Sequence, residues 1–157
     1  PSGPRVLDIG SGGGLPGIVV ALARPDLDVH LMEATGKKAE FLAETAAQLE
    51  VDVTVHHGRA EELAGSGLAG TFDVVTARAV APLERLVPWC APYLKAGATI
   101  HAIKGERWAD ELVEAGQALA AAGLKALETP ADHVEGVTLA GPRVVVLGRP
   151  TGQMDVP

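Results

Sequence analysis

The chain has 157 residues and a formal net charge of −7, and 47% of its residues are hydrophobic but only 3% aromatic. This length suits one domain, whose core must be built from Ala, Val and Leu. The acidic balance argues against a freestanding nucleic-acid-binding domain, because phosphate contacts require clustered Lys and Arg. Cys90 is the only cysteine, which excludes disulfides within the chain and Cys-rich zinc sites.

The sequence contains neither a signal peptide nor an apolar run of membrane-spanning length. We therefore expect a cytoplasmic protein with no membrane partner, no bound metal and a monomeric state. One domain is expected over residues 1–150, followed by a short tail at 151–157.

Strands and helices alternate in the first half of the chain. Short apolar or alternating runs predict strands at Arg5–Ile9, Asp28–Glu33 and 51–57. A first helix is predicted at 16–23, where it stops before Pro25. Apolar residues at helical spacing predict a second helix at 36–50.

The second half continues this alternation and then departs from it. Strands are predicted at 72–77 and 98–104, and helices at 82–94 and 108–122, the latter capped by Gly123. The last two strands, 124–130 and 143–147, have a connection too short for a crossover helix and must pair antiparallel. The predicted fold is therefore an α/β, Rossmann-like, doubly wound and mostly parallel sheet ending in an antiparallel hairpin. This is the class I S-adenosylmethionine-dependent methyltransferase fold, whereas a dehydrogenase half would end in another parallel unit.

A glycine-rich loop lies between the first predicted strand and the first helix. Such a loop lets a ligand lie on the backbone, and the N–H groups that begin the helix can hold an anionic group. A dinucleotide register, G-x-G-x-x-G from Gly12, leaves two residues between the strand end and its first glycine and puts Pro16 inside the helix, where Pro is unfavourable. The alternative register, D-x-G-x-G-x-G from Asp8, ends the strand with an acid and places all its glycines before the helix, which is typical of S-adenosylmethionine-dependent methyltransferases. We therefore predict S-adenosylmethionine as cofactor and S-adenosylhomocysteine as product, in a site that includes Asp8, Gly10, Gly12 and Gly14.

Further candidate residues follow the second and third strands, at the edge where open α/β sheets bind ligands. Glu33 ends the second strand, and its carboxylate can accept hydrogen bonds from both ribose hydroxyls of an adenosine. In this fold the turn after the third strand lies beside the adenine, where Ala60 and Glu61 are placed. An open alternative is that Glu61 and Glu62 only favour the dipole of a short helix.

Two cations, Arg78 and Lys104, end the fourth and fifth strands. The segment 76–82 lacks the Asn or Asp, Pro-Pro and aromatic residues of methyltransferases that act on exocyclic amines. Cys90 lies a full helix beyond the position where pyrimidine-C5 enzymes need a nucleophile, and buried Cys is usually inert packing. Arg78 can donate several hydrogen bonds to a carboxylate, a phosphate or a base edge. We predict that Arg78 and Lys104 face the site as its catalytic residues.

The chain resembles the bacterial small-subunit ribosomal RNA guanine-N7 methyltransferases, once called glucose-inhibited division protein B, over about residues 5–149. The resemblance is carried by residues 7–18, by 36–38 ahead of Phe41-Leu42, and by 59–62, 77–81 and Lys104-Gly105. It implies cofactor contacts from Gly10, Leu15, Ala60, Glu61 and Arg78. The family has a helical segment before the first strand. We expect this segment to be absent here, which would weaken RNA engagement.

The resemblance implies methyl transfer to N7 of a guanine in the decoding-region loop of small-subunit (16S) ribosomal RNA, as RNA or in the assembled subunit. Guanine N7 has a free lone pair at neutral pH, so the reaction needs alignment rather than a general base. Lys104 would then meet an RNA phosphate or the guanine O6. Two alternatives are an NAD-dependent oxidoreductase and a non-catalytic cofactor-binding module.

Overall fold

The computed structural model describes residues 3–127 and 143–150, which form one seven-stranded sheet with helices on both faces. The strands are β1 Arg5–Ile9, β2 Asp28–Glu33, β3 Val53–His57, β4 Phe72–Arg78, β5 Leu94–Lys104, β6 Lys125–Ala126 and β7 Arg143–Gly148. Their order is β3-β2-β1-β4-β5-β7-β6. Strands β1 to β5 pair parallel, and β7 lies antiparallel between β5 and β6. The predicted sheet with its reversed strand is confirmed.

The helices predicted from the sequence are shorter or divided in the structure. The α-helices of the described residues are α1 Gly17–Ala23, α2 Gly36–Gln48, α3 Ala60–Leu63, α4 Leu83–Cys90, α5 Trp108–Glu114 and α6 Gly116–Ala122, and a π-helix at Ala64–Leu68 follows α3. The prediction of one helix over 82–94 was wrong, because a 3₁₀ turn at Ala91–Tyr93 follows α4 and β5 already begins at Leu94. Pro92 lies in that turn, and a proline there can neither donate a helical hydrogen bond nor leave its restricted φ. The predicted helix 108–122 is divided at Ala115 into α5 and α6.

The carboxyl end of α6 and the last strands agree with the prediction as far as they are described. Gly123 ends α6 with a left-handed φ of 66°, a conformation that glycine adopts without steric cost. In the described part of the predicted strand 124–130, Lys125–Ala126 forms β6. Residues 128–130 of that strand, its connection to β7 and the predicted tail at 151–157 lie outside the described residues.

Apolar side chains cover both faces of the sheet, as expected for central parallel strands. On one face α1 and α2 pack through Ile18, Ala21 and Leu42 against Val6, Val29 and Leu31. On the other face α4 and α6 contribute Leu83, Leu86, Val87 and Leu119 to a larger core with Leu7, Val75 and Ile100. This double packing holds the carboxyl ends of β1 to β5 along one edge, where the loops that carry the candidate residues begin.

Neither a membrane-spanning helix nor a metal cluster occurs in the part of the chain that the structure describes. None of its helices is long and apolar enough to cross a bilayer. No group of three His, Cys, Asp or Glu side chains within residues 3–127 and 143–150 is arranged to hold a metal ion.

Candidate functional site

The loop between β1 and α1 has a backbone that requires glycine at three positions. Gly10, Gly12 and Gly14 have φ values of 70°, 53° and 90°, in the left-handed region. The Gly10 N–H donates to the Met32 carbonyl over 2.8 Å, which anchors the loop to the end of β2. A Cβ atom on Gly10 would lie 2.7 Å from Cγ2 of Val80. The loop therefore presents bare backbone at this edge of the sheet.

Asp8 supports this loop from beneath. Its side chain is buried, with the residue 1% exposed. One carboxylate oxygen accepts from the Gly17 N–H at 3.1 Å and the other from the Thr76 hydroxyl at 2.8 Å. Burial raises the pKa of Asp8, although these hydrogen bonds oppose the shift. Asp8 thus shapes the loop and the start of α1, and its predicted contact with the cofactor stays a prediction.

Glu33 lies at the end of β2 with its carboxylate against the glycine loop. Oε2 accepts from the Gly12 N–H at 3.0 Å, and Oε1 accepts from the Thr35 N–H at 2.9 Å. Burial raises the pKa of Glu33, but the two N–H donors and the charge of Lys38 outweigh it and hold the pKa below its usual value. Glu33 is therefore ionised at neutral pH, and each of its oxygens keeps a further acceptor site.

A cavity of about 250 Å³, here called the first cavity, opens beside Glu33. Four predicted cofactor residues meet there, namely Gly10, Glu33, Ala60 and Glu61, together with Ile9, Met32, Ala34, Gly58, Arg59, Val80 and Trp89. The volume lies just below the ~300–1,000 Å³ of sites for whole drug-sized ligands, so it suits part of a ligand, such as a nucleoside. Apolar walls around an ionised carboxylate suit a nucleoside, whose base is a planar ring system and whose sugar carries hydroxyl donors.

Ala60 and Glu61 lie where α3 begins. The Ala60 carbonyl accepts a 2.5 Å hydrogen bond from the buried Tyr93 hydroxyl, which ties α3 to the core. Glu61 and Glu62 both occupy the first turn of α3, as the helix-dipole alternative requires. Glu61 also lines the first cavity, whereas Glu62 does not. The two interpretations of Glu61 are therefore compatible.

Three apolar wall residues, Met32, Val80 and Trp89, were not identified from the sequence. Met32 lies on β2, Val80 follows β4, and Trp89 lies in α4 with the Arg85 guanidinium 5.2 Å from its ring. Apolar residues at such positions give the same sequence signal as ordinary core residues. Only the tertiary packing distinguishes a cavity wall from the core.

A second cavity, of about 380 Å³, lies between the ends of β4 and β5 and α5. It is lined by Arg78, Ala79, Ile103, Lys104, Gly105 and Glu111, so the two predicted cations do meet. Ala79 lines this cavity and its neighbour Val80 lines the first, which makes the two cavities adjacent. The exposed Arg78 donates from Nε to the carbonyl of Leu15 at 3.3 Å. Arg78 and Leu15 therefore lie where the glycine loop meets the end of β4.

Lys104, which was predicted to meet an RNA phosphate or the guanine O6, is paired within the protein. It is buried, and its Nζ donates to the Ala81 carbonyl at 2.7 Å and pairs with Glu111 Oε2 at 2.6 Å. The same Oε2 accepts from the Leu83 N–H at 3.1 Å. A buried charge is stable only when it is paired, and α5 supplies the partner. Glu111 was missed because a glutamate on a short helix reads as a solvated surface residue.

Cys90, the other side chain considered for reactivity, lies inside the core. It is fully buried, and burial raises the pKa of its thiol well above the usual value. A thiol in this state is not a nucleophile at neutral pH. The structure therefore agrees with the interpretation of Cys90 as packing.

Comparison with known proteins identifies the family of this chain. The family model GidB, described as rRNA small subunit methyltransferase G, matches residues 1–138. The chain belongs to this family. The ribosomal RNA small subunit methyltransferase G of Mycolicibacterium vanbaalenii is 45% identical over 146 residues, which cover 93% of this chain and 63% of that protein. The family member from Sorangium cellulosum is 47% identical over 137 residues, covering 85% of this chain and 57% of that protein. The chain thus spans about three fifths of the length of these relatives.

Solved structures agree in fold. The crystal structure of M. jannaschii TYW2 in complex with AdoMet superposes with a TM-score of 0.69 at 18% identity, over 93% of this chain and 68% of that one. A putative transferase, PH0793 from Pyrococcus horikoshii, gives 0.70 at 18% identity, over 93% and 57%. The predicted class I methyltransferase fold and the predicted family are both confirmed.

Proposed function

We propose that this protein transfers the methyl group of S-adenosylmethionine to N7 of a guanine in small-subunit ribosomal RNA. The observation that carries the proposal is the ionised Glu33 carboxylate, held against the glycine loop in the first cavity. Membership of the rRNA small subunit methyltransferase G family supports the reaction and the RNA substrate. The proposed setting is the bacterial cytoplasm, on the RNA or the assembled small subunit. The monomeric state stays a prediction.

The residues of the first cavity fit the adenosine part of the cofactor. Glu33 would accept hydrogen bonds from the ribose hydroxyls, because each oxygen keeps an acceptor site beyond its bond to the backbone. The adenine would lie beside Ala60 and Glu61, against the apolar walls. The methionine part would run along the loop of Gly10, Gly12 and Gly14. Its carboxylate would pair with Arg78, which already contacts the loop at Leu15.

The proposed chemistry needs little from acid or base groups. The sulfonium of the cofactor supplies an activated methyl group. Guanine N7 attacks that methyl carbon with its own lone pair, the carbon–sulfur bond breaks, and the positive charge passes to the base. The protein aligns the two reactants and excludes water, and alignment of this kind supplies about 7–11 kcal/mol at most. The second cavity, adjacent to the first, would receive the base after it turns out of the RNA stack.

Two measurements test the proposal. Calorimetric titration with S-adenosylmethionine, S-adenosylhomocysteine and NAD should show binding of the first two only. Single-turnover assays should then show methyl transfer to small-subunit particles, with 7-methylguanine as the product after nuclease digestion. NAD binding without S-adenosylhomocysteine binding would support the oxidoreductase instead. Cofactor binding without transfer would indicate a non-catalytic module.

A further inference from the structure

The second cavity contains a carboxylate that the proposed methyl transfer does not use. Glu111 reaches it from α5, and its Oε2 is held by Lys104 Nζ at 2.6 Å and by the Leu83 N–H at 3.1 Å. These two donors saturate Oε2 and set the orientation of the carboxylate. The hydrogen bond and the ion pair of Glu111 within residues 3–127 and 143–150 both involve Oε2, and no buried side-chain oxygen or nitrogen of these residues lacks a partner. Oε1 is therefore an accessible acceptor with two sites.

Guanine is the nucleobase that matches such an acceptor. Its Watson–Crick edge presents N1–H and the N2 amine side by side, and both are donors. Adenine presents N1 as an acceptor there and has no amine at C2. The lone pair of adenine N1 would therefore face the negatively charged Oε1 of Glu111. When the wrong base leaves a polar group of the site without a hydrogen-bond partner, the site discriminates strongly against that base.

The position of Glu111 also suits reaction at N7. N7 belongs to the five-membered ring, on the side of guanine away from N1 and N2. A base held at Glu111 by its Watson–Crick edge would direct N7 away from α5. The cavity wall formed by Arg78 and Ala79 adjoins the first cavity at Val80. The cavity volume of about 380 Å³ falls within the ~300–1,000 Å³ range of small-molecule sites.

We propose that Glu111 selects guanine in the second cavity, with Oε1 accepting hydrogen bonds from N1–H and the N2 amine. Lys104 is then a positioning residue, which holds the Glu111 carboxylate in its orientation through the 2.6 Å ion pair. The same ion pair holds the 79–83 segment through the Ala81 carbonyl and the Leu83 N–H. The assignment of the base as the methyl acceptor rests on the proposed function.

The E111Q variant reverses the hydrogen-bonding character of the group that faces the cavity. Lys104 Nζ and the Leu83 N–H are both donors, so the amide oxygen of the variant must turn towards them. Its NH₂ group then faces the cavity and opposes the guanine donors. The matched control is E114Q, because Glu114 lies on the same helix, is exposed and pairs with Arg107 at 3.2 Å.

The test measures dissociation constants of 5′-GMP, 5′-IMP and 5′-AMP by ligand-observed NMR, with S-adenosylhomocysteine present. GMP and IMP differ only in the N2 amine. Wild type and E114Q should bind GMP at least about fivefold more tightly than IMP, as expected for one good base-edge contact. E111Q should lose that preference. Equal loss of GMP and IMP affinity in E111Q, an equal affinity of wild type for both, or no nucleotide binding at all would overturn the proposal.

Methyl transfer to small-subunit particles by the wild-type protein is scored separately. If the wild-type protein transfers the methyl group but shows no preference for GMP, the proposed function holds and Glu111 is not its selecting residue. If the protein prefers GMP, E111Q abolishes that preference and no methyl transfer occurs, the proposed function is contradicted but the guanine site is supported.

Discussion

Replacement of Glu33 tests the cofactor site most directly. The proposed complex gives its carboxylate two ribose hydroxyls in addition to the N–H groups of Gly12 and Thr35. Hydrogen bonds to a charged group contribute about 1.5–3 kcal/mol, which corresponds to a loss of about 10- to 150-fold in affinity. E33Q keeps the shape of the side chain but loses its charge and one acceptor oxygen. Its loss of affinity should therefore lie near the lower end of this range.

E33A should lose more affinity than E33Q, because it removes hydrogen bonds to the glycine loop as well as those to the ligand. Without the carboxylate, the Gly12 N–H and the Thr35 N–H have no protein acceptor. Each lost hydrogen bond lowers the free energy of unfolding by about 1 kcal/mol. The melting temperature of E33A should therefore fall, while that of E33Q changes less. E40Q, at an exposed position of α2, is the control and should match wild type in both properties.

The measurement is calorimetric titration of S-adenosylmethionine and S-adenosylhomocysteine, with a melting curve for each variant. Both ligands should weaken in parallel, because they share the ribose. A folded E33A variant with wild-type affinity for both would refute the placement of the adenosine.

Further perturbations address the loop, the strand ends and the chemistry. A Cβ atom on Gly14 would lie 2.6 Å from Ile18 Cδ1 at a φ of 90°, whereas one on Gly13 meets nothing within 4 Å. G14A should therefore lower the free energy of unfolding by about 1–3 kcal/mol and G13A by less than about 0.5 kcal/mol in urea titrations, and equal effects would contradict this. R78A should weaken cofactor binding and transfer together, since Arg78 is placed at the cofactor carboxylate. K104A should instead lower the free energy of unfolding by about 3–5 kcal/mol, because it leaves the Glu111 carboxylate unpaired, and a K104A variant as stable as wild type would exclude that. The single-turnover rate of transfer should change little between pH 6 and 8, because N7 needs no deprotonation, whereas a log-linear rise would indicate a general base.

The features that local sequence pattern determines were predicted, and those that depend on distant contacts were not. The glycine loop and Glu33 could be located because a strand end, three glycines and an acid at the next strand end follow directly from residue order. The environment of Asp8 could not, since its partner Thr76 is 68 residues away in the chain. The same holds for Lys104, whose burial depends on how α5 packs. Its partner Glu111 is seven positions along, across a turn, where helical periodicity carries no information.

Helix ends show the same division. The sequence pattern located α1, α2 and α4 and the region of α5 and α6, and Gly123 ends α6 as its residue type predicts. The pattern could not place the end of α4, because Leu94 continues the apolar periodicity although it already belongs to β5. The register of β5 against β4, including the shift between Phe72 and Val74, decides that boundary.

The place of Trp89 in the wall of the first cavity gives the protein a built-in optical probe. The chain has two tryptophans, and the other, Trp108, begins α5. With Trp108 replaced by phenylalanine, all indole emission would come from a side chain that borders the nucleoside cavity. Arrival of a ring there changes the polarity around the indole, so its emission would report occupancy without a label. Cofactor exchange could then be followed by stopped flow on the same sample that turns over RNA.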